Sequence, residues 1–404
     1  MRVMLFSDTY APQINGVATS TASLARALSE DGHAVMVCTV GGRRREGGDE
    51  PFVVARAGSV PLPLYGEFSV ASPMGGGFGR LVAGFRPDVI HCHTPFSIGW
   101  QGARAAHAAA IPLVGTHHTL FGAYVAAYSR LGQQVNQRLA GLIRRYIATF
   151  YNQCDSVMCA SHYLASDLVS SGLARPLAIV PNALDTERFH PLAPGEATRK
   201  TGRRLISVGR LAPEKNLPRL LRLVAPVLRR DPRVTLTIAG AGPVGQRLVS
   251  LARELGIARQ VHFLGMLRGP ELREQLAASD ICVCASLTEN QPMALLESLA
   301  CGVPVVALAA AGVPEIIADG RTGYLVAPEC ADTEFARRLA ALMADAAARQ
   351  RMSTQAVASA QAYSRAACLG LTLTIYKAAQ AHAARSTTSA THARRKLKSV
   401  GMDA

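Results

Sequence analysis

The sequence predicts an α/β protein of two doubly wound, Rossmann-like domains, on three observations. Short apolar, β-branched runs alternate with amphipathic stretches along most of the 404 residues, the pattern of strands joined by crossover helices. The alternation occurs twice, on either side of the polar, Pro-containing stretch His190-Pro-Leu-Ala-Pro-Gly-Glu-Ala-Thr-Arg-Lys-Thr-Gly202. The glycines, histidines and charged residues suited to chemistry gather just after the runs, where ligands sit in such folds. A chain of this length with 49% hydrophobic residues exceeds the usual size of one domain and can bury two cores.

In the first domain, residues 1–190, the runs are Val3–Phe6, Ala34–Val40, Phe52–Ala55, Val89–Cys92, Pro112–Gly115, Ser156–Cys159 and Ala178–Val180. After the first comes a turn-rich loop, Phe6-Ser-Asp-Thr-Tyr-Ala-Pro-Gln-Ile-Asn-Gly-Val17, with a helix expected from about Val17. Gly16 lets backbone approach a ligand closely, so a phosphate can be met here; a plain strand-to-helix turn is the alternative. His91-Cys-His-Thr-Pro95 and Gly115-Thr-His-His-Thr119 each end a strand. Four histidines raise the question of a metal. They leave two separate strands with no acidic or cysteine ligands at a recognised spacing, so hydrogen-bonding histidines are favoured and no metal is assigned. The segment Gln134–Tyr151 reads as an amphipathic helix with Arg138, Arg144 and Arg145 beside Leu142, Ile143, Tyr146 and Ile147. Core packing and adsorption to anionic lipid both fit it.

In the second domain, residues 191–363, the runs are Leu205–Val208, Val234–Ala239, Val261–Leu264, Ile281–Cys284, Pro304–Leu308 and Tyr324–Val326. Leu205-Ile-Ser-Val-Gly-Arg-Leu-Ala-Pro-Glu-Lys-Asn216 places Arg210 and Lys215 on a loop that opens a helix. Two cations beside a helix N-terminus suit a diphosphate, against the alternative of a solvated loop. Ile238-Ala-Gly-Ala-Gly-Pro243 is glycine-rich but lacks G-x-G-x-x-G, which counts against an ordinary dinucleotide oxidoreductase. In Thr288–Val306, Pro292 fits a helix first turn and Gly302 its left-handed stop, so Glu289 lies on a loop and Glu297 inside an otherwise apolar helix.

Composition limits the partners. The formal charge of +15 divides as +3 over residues 1–190, +8 over 191–380 and +4 over 381–404. Residues 381–404, with Arg394-Arg-Lys-Leu-Lys398, are expected to be a disordered basic tail. No nucleic-acid-binding motif accompanies the charge, so acidic small molecules or anionic lipid are the better partners. Nine cysteines without paired zinc spacing suit free thiols in a reducing cytosol. No signal peptide opens the sequence and no apolar run reaches the ~20 residues a membrane span needs, so a cytoplasmic protein is expected.

Glu289-x7-Glu297, followed by Ala300-Cys-Gly-Val-Pro304 and Gly312-Val-Pro-Glu315, with Gly209-Arg210, Lys215 and the Asn15-Gly16 loop, resembles a retaining glycosyltransferase of family 4. The resemblance covers roughly residues 1–380. It implies the GT-B fold, two Rossmann-like domains facing across a cleft, with a helix at 364–380 returning to the first domain. It also implies a nucleotide-sugar donor and no cofactor or required metal. Glu297 would hold the ribose hydroxyls, Arg210 and Lys215 the diphosphate, and Gly16 would close onto it. Glu289 would lie against the transferred sugar, with the backbone amides of Asn290, Gln291 and Met293 near its hydroxyls, and His118 would contact the sugar near its reactive carbon. Many relatives have Gly-Phe after the first glutamate, where this chain has Asn290-Gln291.

For the acceptor, Tyr10, Phe121, Tyr124 and Tyr128 are expected in or near the first-domain cleft. Asp8–Thr21, Gly115–Tyr128 and Phe150–Ser161 look most similar to bacterial diacylglycerol α-glucosyltransferases. The expected function is transfer of glucose from UDP-glucose to a membrane lipid, reached by peripheral attachment to the inner face of the plasma membrane. A GDP-mannose-dependent mannosyltransferase acting on a lipid or polyol, a sugar-nucleotide epimerase of the same fold class and a non-catalytic nucleotide-sugar binder are the alternatives.

Overall fold

The computed structural model describes residues 1–13, 15–41, 50–62, 65–71, 78–120, 132–193 and 201–399, with side chains left undescribed at 59–62, 65–71, 133 and 384–399. Its first half contains β1 (Arg2–Ser7), α1 (Gly16–Glu30), β2 (Ala34–Val40), β3 (Val53–Ala57), the antiparallel pair β4 (Ser59–Leu62) and β5 (Tyr65–Ala71), and α2 (Phe78–Phe85). β6 (Val89–Cys92), α3 (Ser97–Ala109), β7 (Leu113–His117), α4 (Gln133–Tyr151), β8 (Ser156–Cys159), α5 (His162–Ser170) and β9 (Leu177–Ile179) follow. Seven of these strands form one sheet in the order β3-β2-β1-β6-β7-β8-β9, every pair parallel. The β4–β5 pair was not expected from the alternation of runs.

Both faces of this sheet are covered, which is why β1 is apolar without alternation from Val3 to Phe6. Val3 and Leu5 pack with Ala25 and Leu28 of α1, while Met4 and Phe6 pack on the other face with Ile98 of α3 and Phe150 of α4. Asn15 starts α1 where the sequence places a capping residue, its Oδ1 accepting from the Ala18 amide.

The second half repeats the plan with β10 (Arg204–Val208), α6 (Leu217–Arg230), β11 (Thr235–Ala239), α7 (Gly245–Glu254), β12 (Val261–Gly265), α8 (Gly269–Ala278) and β13 (Ile281–Cys284). It continues with α9 (Met293–Ala300), β14 (Val305–Leu308), α10 (Val313–Ile316), β15 (Gly323–Val326), α11 (Ala331–Ala344) and α12 (Ala346–Ala360). The strand order, β12-β11-β10-β13-β14-β15, reverses direction between β10 and β13. That crevice is where doubly wound sheets take ligands. In the first sheet the reversal lies between β1 and β6.

α13 (Arg365–Ser399) then crosses back to the first domain. Tyr376 is fully buried there with Val3, Leu5 and Val114, and Arg365 pairs with Glu30 at 3.2 Å and Asp185 at 3.3 Å. The helix runs on to Ser399, so the disordered tail expected over 381–404 is corrected for its described part. Residues 381–399 contain neither Gly nor Pro, and Ala is the commonest residue among them, so nothing in the segment breaks a helix already begun. Among the described residues no helix is long and apolar enough to cross a membrane.

Candidate active site

The crevice between β10 and β13 gathers the expected diphosphate residues. β10 leads through Gly209 and Arg210 into a tight turn at Pro213–Lys215. Asn216, in the left-handed conformation, then opens α6. The Asn216 side chain donates to the Ala285 carbonyl at 3.0 Å, tying this loop to the β13 exit. Each cation already engages a carboxylate of its own domain: Arg210 donates to Glu214 at 2.5 Å and Lys215 to Glu289 at 2.5 Å. The Lys215 and Glu289 side chains are 28% and 15% exposed, and charges so far from water need a partner. Burial pulls the Lys215 ammonium down, but attraction and hydrogen bonding to Glu289, with Cys284 and Glu214 adding, outweigh it and the net shift is upward.

Glu289 lies on the loop and Glu297 in the helix, as the sequence predicts. Pro292 stands just before α9, its carbonyl accepting from Leu295 and Leu296, and Gly302 follows with φ 71°. Glu297 is half-buried without a hydrogen-bond or ion-pair partner among the described residues, and burial pushes its carboxyl up to about 7 against the weaker pull of Arg188. The loop is held from behind by Gly312, whose amide donates to the Glu289 carbonyl at 2.7 Å. A Cβ there would fall 1.7 Å from the Asn290 carbonyl oxygen, so this position accepts only glycine.

The same loop reaches the first domain. Asn290 Nδ2 donates to the His118 carbonyl at 3.1 Å. Gln291 Oε1 accepts from both the backbone and the side-chain nitrogen of Asn182, at 2.7 and 2.9 Å. Asn182 Oδ1 accepts in turn from Ser20 of α1 at 2.8 Å. One further bridge comes from Glu315 of α10, whose carboxylate accepts from the His162 and Tyr163 amides at 2.7 and 2.8 Å, at the start of α5. Asn290 and Gln291, the departure from the usual Gly-Phe, thus serve as an interdomain clasp. Asn182 and Glu315 were given no role from sequence, although Glu315 stands in the quoted Gly312-Val-Pro-Glu315.

His118 follows β7, partly exposed, and burial lowers its pKa to about 4, so the ring is neutral in the physiological range. Gly16 is the first residue of α1, and the space a Cβ would occupy there has nothing within 4 Å. Neither packing nor backbone strain requires this glycine, which leaves room for a ligand to approach. Met293 begins α9, and its half-buried side chain packs on the apolar cluster beneath. Among the described residues, no group of three or more His, Cys, Asp or Glu is placed to hold a metal ion.

The acceptor-region expectations fare differently. Tyr10 is 3% exposed, packed with Ala22, Val35 and Val37, its hydroxyl pushed up to about 12 by burial. It belongs to the core, because the chain turns under α1 before reaching the cleft. Phe121, Tyr124 and Tyr128 lie outside the described residues. On α4, Val135, Leu139, Leu142 and Tyr146 are 53%, 37%, 64% and 43% exposed, spaced along one face, with Arg138 and Arg145 exposed at its flank. Ile147 is buried and Ile143 packs on the core, so these two leave the expected surface set. Arg144 turns to Asp167 of α5 at 3.7 Å and leaves it as well.

Known proteins resemble this chain in sequence and in fold. Residues 14–188 match the family described as Glycosyltransferase Family 4, and residues 192–358 the one described as Glycosyl transferases group 1. The alpha-monoglucosyldiacylglycerol synthase of Streptococcus pneumoniae is 30% identical over 344 residues, covering 80% of this chain and 75% of that protein. A GDP-mannose-dependent alpha-mannosyltransferase of Mycobacterium tuberculosis is 29% identical over 335 residues, covering 81% and 84%. Among solved structures, HepE of Anabaena in complex with UDP has a TM-score of 0.72 at 18% identity, over 94% of this chain and 100% of that one. Sucrose-phosphate synthase from Thermosynechococcus elongatus has a TM-score of 0.72 at 19% identity, over 94% and 99%. At such identities the structural likeness speaks for the fold alone.

Proposed function

Because this chain belongs to glycosyltransferase family 4 and has the GT-B fold, we propose that it moves glucose from UDP-glucose to a membrane lipid such as diacylglycerol, forming an α-glycosidic bond with retention. The observation that carries the donor half is the junction at Glu289. One loop holds the Lys215 ammonium, touches the backbone of His118 in the other domain and opens the helix bearing Glu297. In this reading Glu297 accepts from the ribose hydroxyls, and Lys215 and Arg210 meet the diphosphate opposite the start of α1 at Gly16. Glu289, the amides of Asn290, Gln291 and Met293, and the ring of His118 surround the transferred sugar. Attack from the leaving-group face preserves configuration, with the departing phosphate taking the acceptor proton. Catalysis then rests on cations placed where charge develops, and the scheme calls on no metal.

The lipid acceptor is supported by the name of the Streptococcus pneumoniae relative and by α4. A stripe of four exposed apolar side chains beside two arginines suits a helix lying in an anionic bilayer surface. The 29% identity to the mannosyltransferase favours GDP-mannose as the second reading. A donor panel with lipid extract, read by mass spectrometry, decides between them. A glucosylated lipid formed only from UDP-glucose supports the first, and donor consumption without acceptor supports an epimerase or hydrolase.

Two expected results follow from individual side chains. The protein is expected to sediment with anionic but not zwitterionic liposomes at low salt. Each exposed arginine contributes about 1 kcal/mol at such a surface. Leu142→Asp, or neutral residues at Arg138 and Arg145, weakens binding more than removal of residues 381–404 does. Equal binding to both liposome types would remove the electrostatic argument.

The second result concerns Glu297. Its carboxyl, raised to about 7, is protonated below that pH in the free protein. Ribose hydroxyls donate to the ionised form, so donor binding must expel the proton below pH 7 and releases none well above it. Affinity for a nucleotide sugar, whose diphosphate diester does not itself titrate here, is expected to fall about fivefold from pH 7 to pH 6 and to level off above about pH 8. Glu297→Gln flattens the profile at weaker affinity. Calorimetry in two buffers of different ionisation enthalpy reads the proton directly, and a pH-independent Kd in the wild type would reject the ribose assignment.

A further inference from the structure

Behind His118 stand two more histidines in line. His91 lies in β6 and His93 just after it, their rings 4.1 Å apart and tilted by 32°. His93 and His118 lie edge to edge and nearly coplanar, their ring centres 5.3 Å and their planes 16° apart, with His93 Nδ1 3.0 Å from His118 Nε2. His91 has both nitrogens satisfied, Nδ1 by the Tyr376 hydroxyl of α13 and Nε2 by Thr116 Oγ1, each at 2.7 Å. His93 does not: its Nε2 is sealed from solvent and lacks a hydrogen-bond partner among the described residues.

Burial holds His91, His93 and His118 in the neutral form, so each ring carries one N–H. The bond between His93 and His118 then has two arrangements. If His118 Nε2–H donates, the single proton of His93 sits on the sealed Nε2, a buried donor with nowhere to go. If His93 Nδ1–H donates, the sealed atom is a bare lone pair. Buried N–H groups without an acceptor are the rarer defect in folded proteins, and the hydrogen bond one ring nitrogen makes decides the protonation of the other. The second arrangement is favoured, and it leaves the proton of His118 on Nδ1, the nitrogen not engaged by His93.

We propose that His93 is a positioning residue: it donates from Nδ1 to His118 and holds His118 in the Nδ1-protonated tautomer, so that His118 presents a hydrogen-bond donor, not a base, to the transferred sugar. This rests on the reading of His118 as a sugar contact. His91 supports the pair from behind, fixed by Tyr376, so the place of the donor atom is set partly by a helix that arrives from the second domain. A donor-only histidine takes no proton from the acceptor hydroxyl, in keeping with its transfer to the departing phosphate.

The test reads the tautomer itself. In protein labelled with ¹⁵N-histidine, long-range ¹H–¹⁵N correlation spectra report which nitrogen of each ring is protonated, and the His118 signals are assigned by their loss in His118→Gln. The wild type is expected to show His118 protonated at Nδ1. His93→Leu is expected to shift it toward Nε2 and to lower kcat about tenfold with donor KM within about threefold. His93→Asn, whose side-chain amide N–H reaches the place of Nδ1, restores both. A wild-type His118 protonated at Nε2, or a tautomer that His93→Leu leaves unchanged, overturns the proposal. Should His93→Leu fail to fold, the wild-type spectrum alone decides. If no nucleotide sugar is turned over, the functional reading falls while the tautomer is still settled by the spectra.

Discussion

Replacing Lys215 by alanine is expected to lower kcat/KM about a thousandfold, while the same change at Arg210 costs about tenfold. Lys215 and Glu289 are mostly buried against each other. Removing the ammonium forfeits its charge-assisted hydrogen bonds, each about 1.5–3 kcal/mol. It also leaves the Glu289 carboxylate unpaired where an anionic diphosphate must dock, and an orphaned buried charge is costlier than the lost bond. Together these reach about 4 kcal/mol in the transition state, or three decades in rate. Arg210 is 48% exposed and bound to a carboxylate four residues along the same turn, so water screens much of its effect. Initial rates with the active donor, with calorimetry of nucleoside diphosphate binding, separate the two positions. Equal losses at both, or a Lys215→Ala variant within tenfold of wild type, would show that the junction at Glu289 is not where the leaving group is held.

His118→Ala is expected to lower kcat by about a hundredfold and to change donor KM by less than about threefold. A single donor aimed at the reacting centre is worth about two decades when its bond strengthens in the transition state, and little in the ground state when it does not. Since burial lowers the ring to about pKa 4, the wild-type rate shows no limb from this histidine between pH 5 and 8. The measurement is a pair of Michaelis curves at several pH values. A variant with near-wild-type turnover, or a loss confined to KM, would make His118 a wall of the pocket and nothing more.

Much of this site was legible before the fold was seen. Glu297 stood out because a carboxylate inside an apolar helix needs a reason, and Pro292 and Gly302 bracketed that helix closely enough to leave Glu289 on its approach loop. Gly16, Arg210, Lys215 and His118 were legible because they follow strands, and two parallel sheets direct whatever follows a strand toward one edge. What was not legible depends on which way a side chain turns once the backbone is set. The sequence shows Arg210 and Lys215 beside a helix start but not their partners: each donates to a glutamate, and that of Lys215 is distant in sequence. Tyr10 was placed at the cleft by its neighbours in the chain, but the loop buries it under α1. On α4 the period of 3.6 marks two adjoining apolar faces, and only packing against β7 and α5 shows that Ile143 and Ile147 belong to the inner one. Asn182 carried no signal, since its partner Gln291 lies in the other domain.

The return of α13 to the first domain has a consequence for how this protein comes into being. Val3 and Leu5 share one buried cluster with Tyr376 and Ala379, so the earliest strand synthesised cannot finish its core until nearly the whole chain has left the ribosome. The second domain has no such dependence, because its sheet and the helices over 331–360 that cover it come from one continuous stretch. Folding units commonly mature in the order of their synthesis. Here the order is inverted: the donor-side domain closes first, and the nascent first domain keeps an unsealed apolar face through the time it takes to make the second.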